Sequence, residues 1–148
     1  MSIIHGCDLP DDLYYQIEKH VWAKLLGEGN VRVGITSVAA KLSGGDLAAV
    51  TVRSKKIGTE VLTGKSLATI ESSKFVGPVP APITGVLLRA NDKVIEEPNL
   101  AVSDPYGDGW IVELRPSNWD SDKNDLATGQ DGISAYKAKM ESDGISCE

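Results

Sequence analysis

The sequence predicts a mainly all-β fold, a flattened barrel or sandwich hybrid with short flanking helices, on three observations. Short apolar runs broken by turn residues recur at intervals of about ten residues, as in sandwiches and barrels. Fifteen Gly and seven Pro supply the turns, while one Phe, three Trp and four Tyr leave the core to Val, Ile, Leu and Ala in small, closely spaced elements. The chain also resembles itself. Val61, Leu62, Leu67 and Ala68 align with Val94, Ile95, Leu100 and Ala101 at a constant offset of 33 residues, so that two quasi-symmetric β units would close one core between them. The turns before them match too, Gly58-Thr59-Glu60 with Asn91-Asp92-Lys93, both suited to positive φ.

Taken in order, residues 10–26 fit either element. Pro10-Asp11-Asp12 resembles a first helical turn with Leu13, Ile17 and Val21 at helical spacing, but Tyr14, Tyr15, Val21 and Trp22 favour strands. From Gly27 the reading is firm: GEGN turns between apolar runs and VRVGIT alternates, so residues 20–36 form a hairpin. Residues 37–45 (SVAAKLSGG) read as a short helix ending in glycines, and 46–53 (DLAAVTVR) as a strand. In residues 69–85 (TIESSKFVGPVPAPITG) a strand runs to a polar tip and returns through Val76 and Val79 toward Pro80-Ala81-Pro82, with Lys74 at the tip.

With 148 residues, 41% of them hydrophobic, the chain suits one core. Residues 1–116 are expected to hold the fold. Residues 117–148, rich in Ser, Asp, Asn and Gly, read as an extension with one short helix at 133–141, poorly packed or partly disordered. A net charge of -6 argues against nucleic acid or anionic lipid as partner. No apolar run approaches the roughly 18 residues of a membrane span, and the N-terminus lacks a signal-peptide pattern, so a cytoplasmic protein is expected. In that compartment Cys7 and Cys147 are expected as free thiols.

No phosphate-cradling glycine loop, metal-ligand spacing or nucleophile beside a base stands out, and His5 and His20 are few for acid–base work. The sequence therefore predicts neither a catalytic nor a metal site.

The order around Lys74 resembles the attachment hairpin of lipoyl domains: Glu71 three residues before the lysine, then a returning strand with Ala81-Pro82 and a turn at Gly85. Over about residues 13–116 the match widens. KHVWAKLLGEGNVRVGIT, IGTEVLTGKSLATIES and DPYGDGWIVELRPSNW are similar to the first hairpin, a turn and the closing segment of the glycine-cleavage H-protein family. The resemblance implies a non-enzymatic carrier of lipoyl type, with lipoic acid joined to Lys74 as N6-lipoyllysine by a lipoate-protein ligase and Glu71 guiding the ligase or capping the hairpin. Biotinyl domains share the hairpin but resemble it with methionines beside the lysine; Ser73 and Phe75 stand here, which favours lipoate.

Departures from the family pattern bear on cargo. In His20-Val21-Trp22 a valine replaces an acid, and Ser73, Phe75 and Gly77-Pro78 surround Lys74 where the family has Val, Ala and a less proline-rich return. Together with GCDLPDDLYY, this looks like the H-protein-like lipoate-binding proteins of bacterial sulfur oxidation, which implies sulfur intermediates and a heterodisulfide-reductase-like partner complex. The alternative is an aminomethyl carrier serving the glycine-cleavage enzymes, and a third reading is an unmodified interaction module. His20 reads as structural beside Trp22; Asp104, Tyr106, Gly107, Gly109 and Trp110 as a folded turn whose glycines take unusual φ; and Cys7 as a free cysteine rather than a thiol that exchanges with a dithiolane.

Overall fold

The structure, a computed structural model, describes residues 2–148. In chain order its elements are β1 (Ser2–Ile4), β2 (Cys7–Leu9), β3 (Tyr14–Gln16), β4 (Val21–Leu25), β5 (Val31–Ile35), α1 (Ser37–Leu42), β6 (Ala49–Thr51), β7 (Glu60–Val61), β8 (Ser66–Glu71), β9 (Val76–Pro80), β10 (Gly85–Ala90), α2 (Asp92–Glu96), α3 (Leu100–Ser103), β11 (Val112–Pro116), α4 (Trp119–Asp122), β12 (Ala127–Thr128) and α5 (Gly129–Asp143). Among the described residues a seven-stranded sheet runs in the order β12-β3-β4-β5-β11-β10-β7, and β6-β8-β9 form a separate three-stranded sheet. The chain is mainly β with short helices; β1 and β2 form a small two-stranded sheet, and the two larger sheets stay open, as a sandwich and barrel hybrid does.

One strand feeds two cores. Along β4 the side chains alternate, so Val21 and Ala23 join Val31, Val33 and Ile35 of β5, Leu67 and Ile70 of β8 and Leu114 of β11 in the main core. Trp22 points the other way, into a second cluster with Leu9, Leu13, Tyr15, Val38, Ile133, Tyr136 and Met140. Gly34, opposite Trp22 in the β4–β5 register, leaves room for the indole: a Cβ there would lie 2.6 Å from the ring. This pairing decides the ambiguous stretch 10–26 as two strands, joined by a single 3-10 turn at Ile17–Lys19.

The expected hairpin at 20–36 and the short helix after it are present. The sequence repeat takes a different form. Val61 and Val94 are buried, Leu62 and Ile95 exposed, and Ala68 and Ala101 buried, while Leu67 is buried and Leu100 only partly so, and the burial pattern recurs at three of the four pairs. Yet residues 94–101 run through α2 and α3, not strands, because the Asn91 side chain accepts the Lys93 N–H and starts a helix. Gly58 has the expected positive φ of +88, whereas Asn91 has φ -83.

Two expectations about the chain ends are overturned. Instead of a loose tail, α5 is a 15-residue helix that buries Ile133, Tyr136 and Met140 in the second cluster; these three recur at helical spacing and meet Tyr15 and Trp22, a surface the isolated segment could not reveal. Instead of free thiols, Cys7 and Cys147 form a disulfide, with Cα atoms 5.1 Å apart. After α5 the chain turns back, and the Cys147 N–H donates to the His5 carbonyl (2.8 Å), which sets the last residues against the β1–β2 hairpin.

Candidate functional site

β8 and β9 pair with Glu71 opposite Val76, which leaves residues 72–75 as the tip of the hairpin and Lys74 on it, as expected. The tip is closed locally. The Ser72 N–H donates to the Phe75 carbonyl (2.7 Å), and the Ser72 hydroxyl accepts the Lys74 N–H (3.2 Å). Ser72 is buried, so the turn is pinned from beneath while Ser73, Lys74, Phe75 and Val76 are exposed. The Lys74 ammonium makes no hydrogen bond or ion pair among the described residues. An amine free of partners at an exposed turn on rigid strands is reachable by an enzyme that acylates it.

Glu71 was expected either to guide a ligase or to cap the hairpin. Its carboxylate is exposed and makes no hydrogen bond here, so it does not cap; its backbone carbonyl takes the Ala48 N–H (2.7 Å) instead. Ser72 does the capping, a role the sequence reading missed.

Beside the tip lies a second feature that sequence alone did not show. After α1 the chain passes through Gly44 (φ +92), which the αL conformation suits, and a Cβ at Gly44 would lie 3.2 Å from Lys74 Cδ. The glycine therefore lets the lysine stem lie across this loop. A cavity of about 320 Å³ opens next to it, walled by Ile35, Ala39, Leu42, Ile70, Phe75 and Val79. Its polar rim carries Glu18, Lys19, His20 and Ser43. The run SVAAKLSGG signals the helix and its glycine stop, but nothing in it says that Lys74 comes to rest there.

The remaining residues singled out from the sequence lie elsewhere. Asp104 and its neighbours do fold into a turn, in which the Asp104 carboxylate accepts the Asp108 N–H (2.9 Å). Its glycines are required for space rather than for φ: neither Gly107 nor Gly109 has positive φ, and a Cβ on Gly109 would run into the Leu100 carbonyl. Tyr106 ties this turn to the chain ends, its hydroxyl donating to the Asp8 carbonyl (2.6 Å) and accepting the Ser37 N–H at the start of α1 (2.9 Å). Burial pushes its pKa up to about 12. Trp22 donates from Nε1 to the Pro105 carbonyl (3.0 Å). His20, by contrast, reaches the site, on the cavity rim.

A covalent lipoyl arm suits this arrangement. The Lys74 amine is exposed and unpaired, its stem lies on Gly44, and the neighbouring Phe75 and Ser43 line the apolar cavity, whose wall would offer the arm's hydrocarbon dispersion contacts and no buried unsatisfied polar atom. Among the described residues no group of three or more His, Cys, Asp or Glu could hold a metal, and no helix is long and apolar enough to cross a membrane.

Comparison with known proteins agrees with the geometry. The family model for glycine cleavage H-protein matches residues 13–141. The chain is 40% identical to glycine cleavage system H protein 2 of Aquifex aeolicus, over 96% of this chain and 86% of the relative. It is also 40% identical to probable glycine cleavage system H protein 2 of Saccharolobus solfataricus, over 100% and 99%. A crystal structure of the glycine cleavage system H protein from Mycobacterium marinum is similar with a TM-score of 0.71 and 32% identity, covering 92% of this chain and 99% of that one.

Proposed function

The chain belongs to the glycine cleavage H-protein family, and from that premise we propose that it presents a lipoyl group covalently bound to Lys74 to partner enzymes. Members of this family carry lipoate on a lysine and are carriers, not enzymes. The observation that carries the assignment to Lys74 is the tip itself: an exposed, unpaired amine on a turn pinned by buried Ser72. When bound, the group supplies a disulfide–dithiol couple that takes up and releases cargo. The chain's own residues hold the attachment point still, keep the stem clear at Gly44 and offer the Ile35–Leu42–Val79 wall as shelter between encounters. Glu71, three residues before the lysine with its carboxylate exposed and free of hydrogen bonds among the described residues, is in place to be read by the lipoate-protein ligase.

For cargo, the names of the relatives support an aminomethyl unit exchanged among the glycine-cleavage enzymes. A second reading, a sulfur intermediate carried for a heterodisulfide-reductase-like complex in the cytoplasm, is favoured by one feature of the cavity. A cationic aminomethyl group needs a carboxylate, and the carboxylate at the rim, Glu18, is engaged by Lys139 Nζ at 3.3 Å, while the wall is apolar. Reconstitution separates the two. The aminomethyl reading requires the lipoylated chain to support glycine decarboxylation with the other glycine-cleavage components, and Lys74→Arg to abolish it. Failure there, with turnover by a heterodisulfide-reductase-like complex, establishes the sulfur reading; failure in both rejects both cargoes.

A further inference from the structure

His20 stands where the second core reaches the cavity. Its backbone is left-handed (φ 58, ψ 49), a conformation that is unfavourable for a non-glycine residue and persists only where its surroundings impose it. Its ring is held from behind: Nδ1 lies 2.6 Å from the Tyr136 hydroxyl, which lies 2.8 Å from Thr36 Oγ1, and the His20 and Tyr136 rings stack at 5.7 Å. Tyr136 is fully buried, so this chain of hydroxyls is shielded from water. With Nδ1 committed to Tyr136, Nε2 is the ring nitrogen left without a hydrogen bond among the described residues, and His20 lines the cavity.

Two other polar side chains at the rim are engaged elsewhere: Glu18 pairs with Lys139, and the Ser43 hydroxyl donates to the Ala40 carbonyl (2.8 Å). His20 faces Tyr136, Lys139 and Asp143 of α5, Glu18 and Lys19 of its own segment, and Thr36 at the end of β5. Burial, then Lys139, lower its proton affinity against the opposing pull of Asp143 and Glu18, so the imidazole is neutral at neutral pH. Nε2 can take a proton only if the neutral ring carries its own on Nδ1, and the contacts allow this: Nδ1–H donates to the Tyr136 hydroxyl, which turns to donate onward to Thr36 Oγ1.

We propose that His20 is the proton acceptor of the attachment site: its Nε2 takes the proton from a thiol of the reduced arm in the cavity, leaving a thiolate on sulfur, and returns it when the sulfur is reprotonated. This rests on the reading of Lys74 as the lipoyl attachment point. The thiolate is the reactive form of a thiol, so a neutral base beside it lets the arm react at neutral pH.

The test uses the lipoylated, reduced full-length chain and its alkylation by iodoacetamide as a function of pH. The rate at neutral pH is about tenfold above that of His20→Asn, because the neutral imidazole takes the proton as the sulfur attacks, and the pH profile falls on the acid side as His20 becomes protonated, a limb that free dihydrolipoamide lacks. Asparagine tolerates left-handed backbone, so this variant keeps the fold. A pH profile the same as that of free dihydrolipoamide, or a rate unchanged in His20→Asn, overturns the proposal. A readout without substitution is the ¹⁵N resonance of His20 Nε2, which moves when the arm passes from disulfide to dithiol; a stationary resonance also overturns it. Intact mass taken first keeps the two levels apart, because an unmodified chain refutes the Lys74 reading and this one with it, whereas a modified chain with a rate unchanged in His20→Asn refutes only the step at His20.

Discussion

The hairpin that ends in Lys74 and the cluster that joins the two chain ends are built on opposite principles. Around Lys74 the tip is held by its own backbone and one buried serine, and four consecutive residues stand exposed. Around Tyr136 nearly everything is closed in: Tyr15 and Tyr136 meet edge to face at 5.5 Å, Trp22 and Met140 are fully buried, and the Cys7–Cys147 disulfide ties the ends together. A carrier needs both. The group presented has to be reachable, so the rigidity that aims it is supplied from the body. His20 and α1 link the two regions, the first through Tyr136 and the second through Gly44, which lies under the lysine.

If the regions are energetically separate, damage to the closed one lowers stability and spares modification. The largest such effect is expected from removing the disulfide. Cys7→Ser with Cys147→Ser opens a covalent loop with a sequence separation of 140 residues and costs about 4 kcal/mol in denaturant unfolding, with ligase modification of Lys74 unchanged. Loss of modification without loss of stability would show that the ends act directly on the hairpin. Tyr136→Phe removes the hydroxyl shared by His20 and Thr36 and is expected to cost about 1–2 kcal/mol, measured the same way.

Gly44→Ala strikes the junction. At φ +92 the new side chain costs about 1 kcal/mol, and its Cβ presses on the Lys74 stem, so hydrogen exchange should quicken at residues 72–75 more than at α5. Equal changes in both would deny the separation. The smallest effect is a pH dependence. The His20 pKa is lowered in the folded chain, so between that value and the ordinary 6.5 the unfolded chain binds more protons, and stability rises with pH across this window and is lost as pH falls through it. His20→Asn should flatten that part of the stability curve.

The same contrast separates what the sequence disclosed from what it hid. Lys74 and its hairpin were legible because strands and turn are local: IESSKFVGPVP carries its own apolar ends, polar tip and proline-rich return. The first hairpin was legible for the same reason. α5 was not, because its apolar residues are few and gain meaning only against Tyr15 and Trp22, more than a hundred positions away. The disulfide was hidden twice over, by that distance and by the expectation of a reducing compartment. His20 showed as a histidine beside a core tryptophan; its place on the rim comes from a left-handed turn that no propensity announces. The offset of 33 residues tracked burial but not secondary structure, since a buried-exposed pattern is shared by a strand edge and a short helix.

The central claim is that one lysine, Lys74, carries the lipoyl group. Intact mass of the wild-type chain and of Lys74→Arg, each produced with a working lipoate-protein ligase, tests it most directly. The account predicts an adduct of one lipoyl group on the wild type and none on the variant; a wild-type chain without the adduct, or a variant that keeps it, would contradict the account.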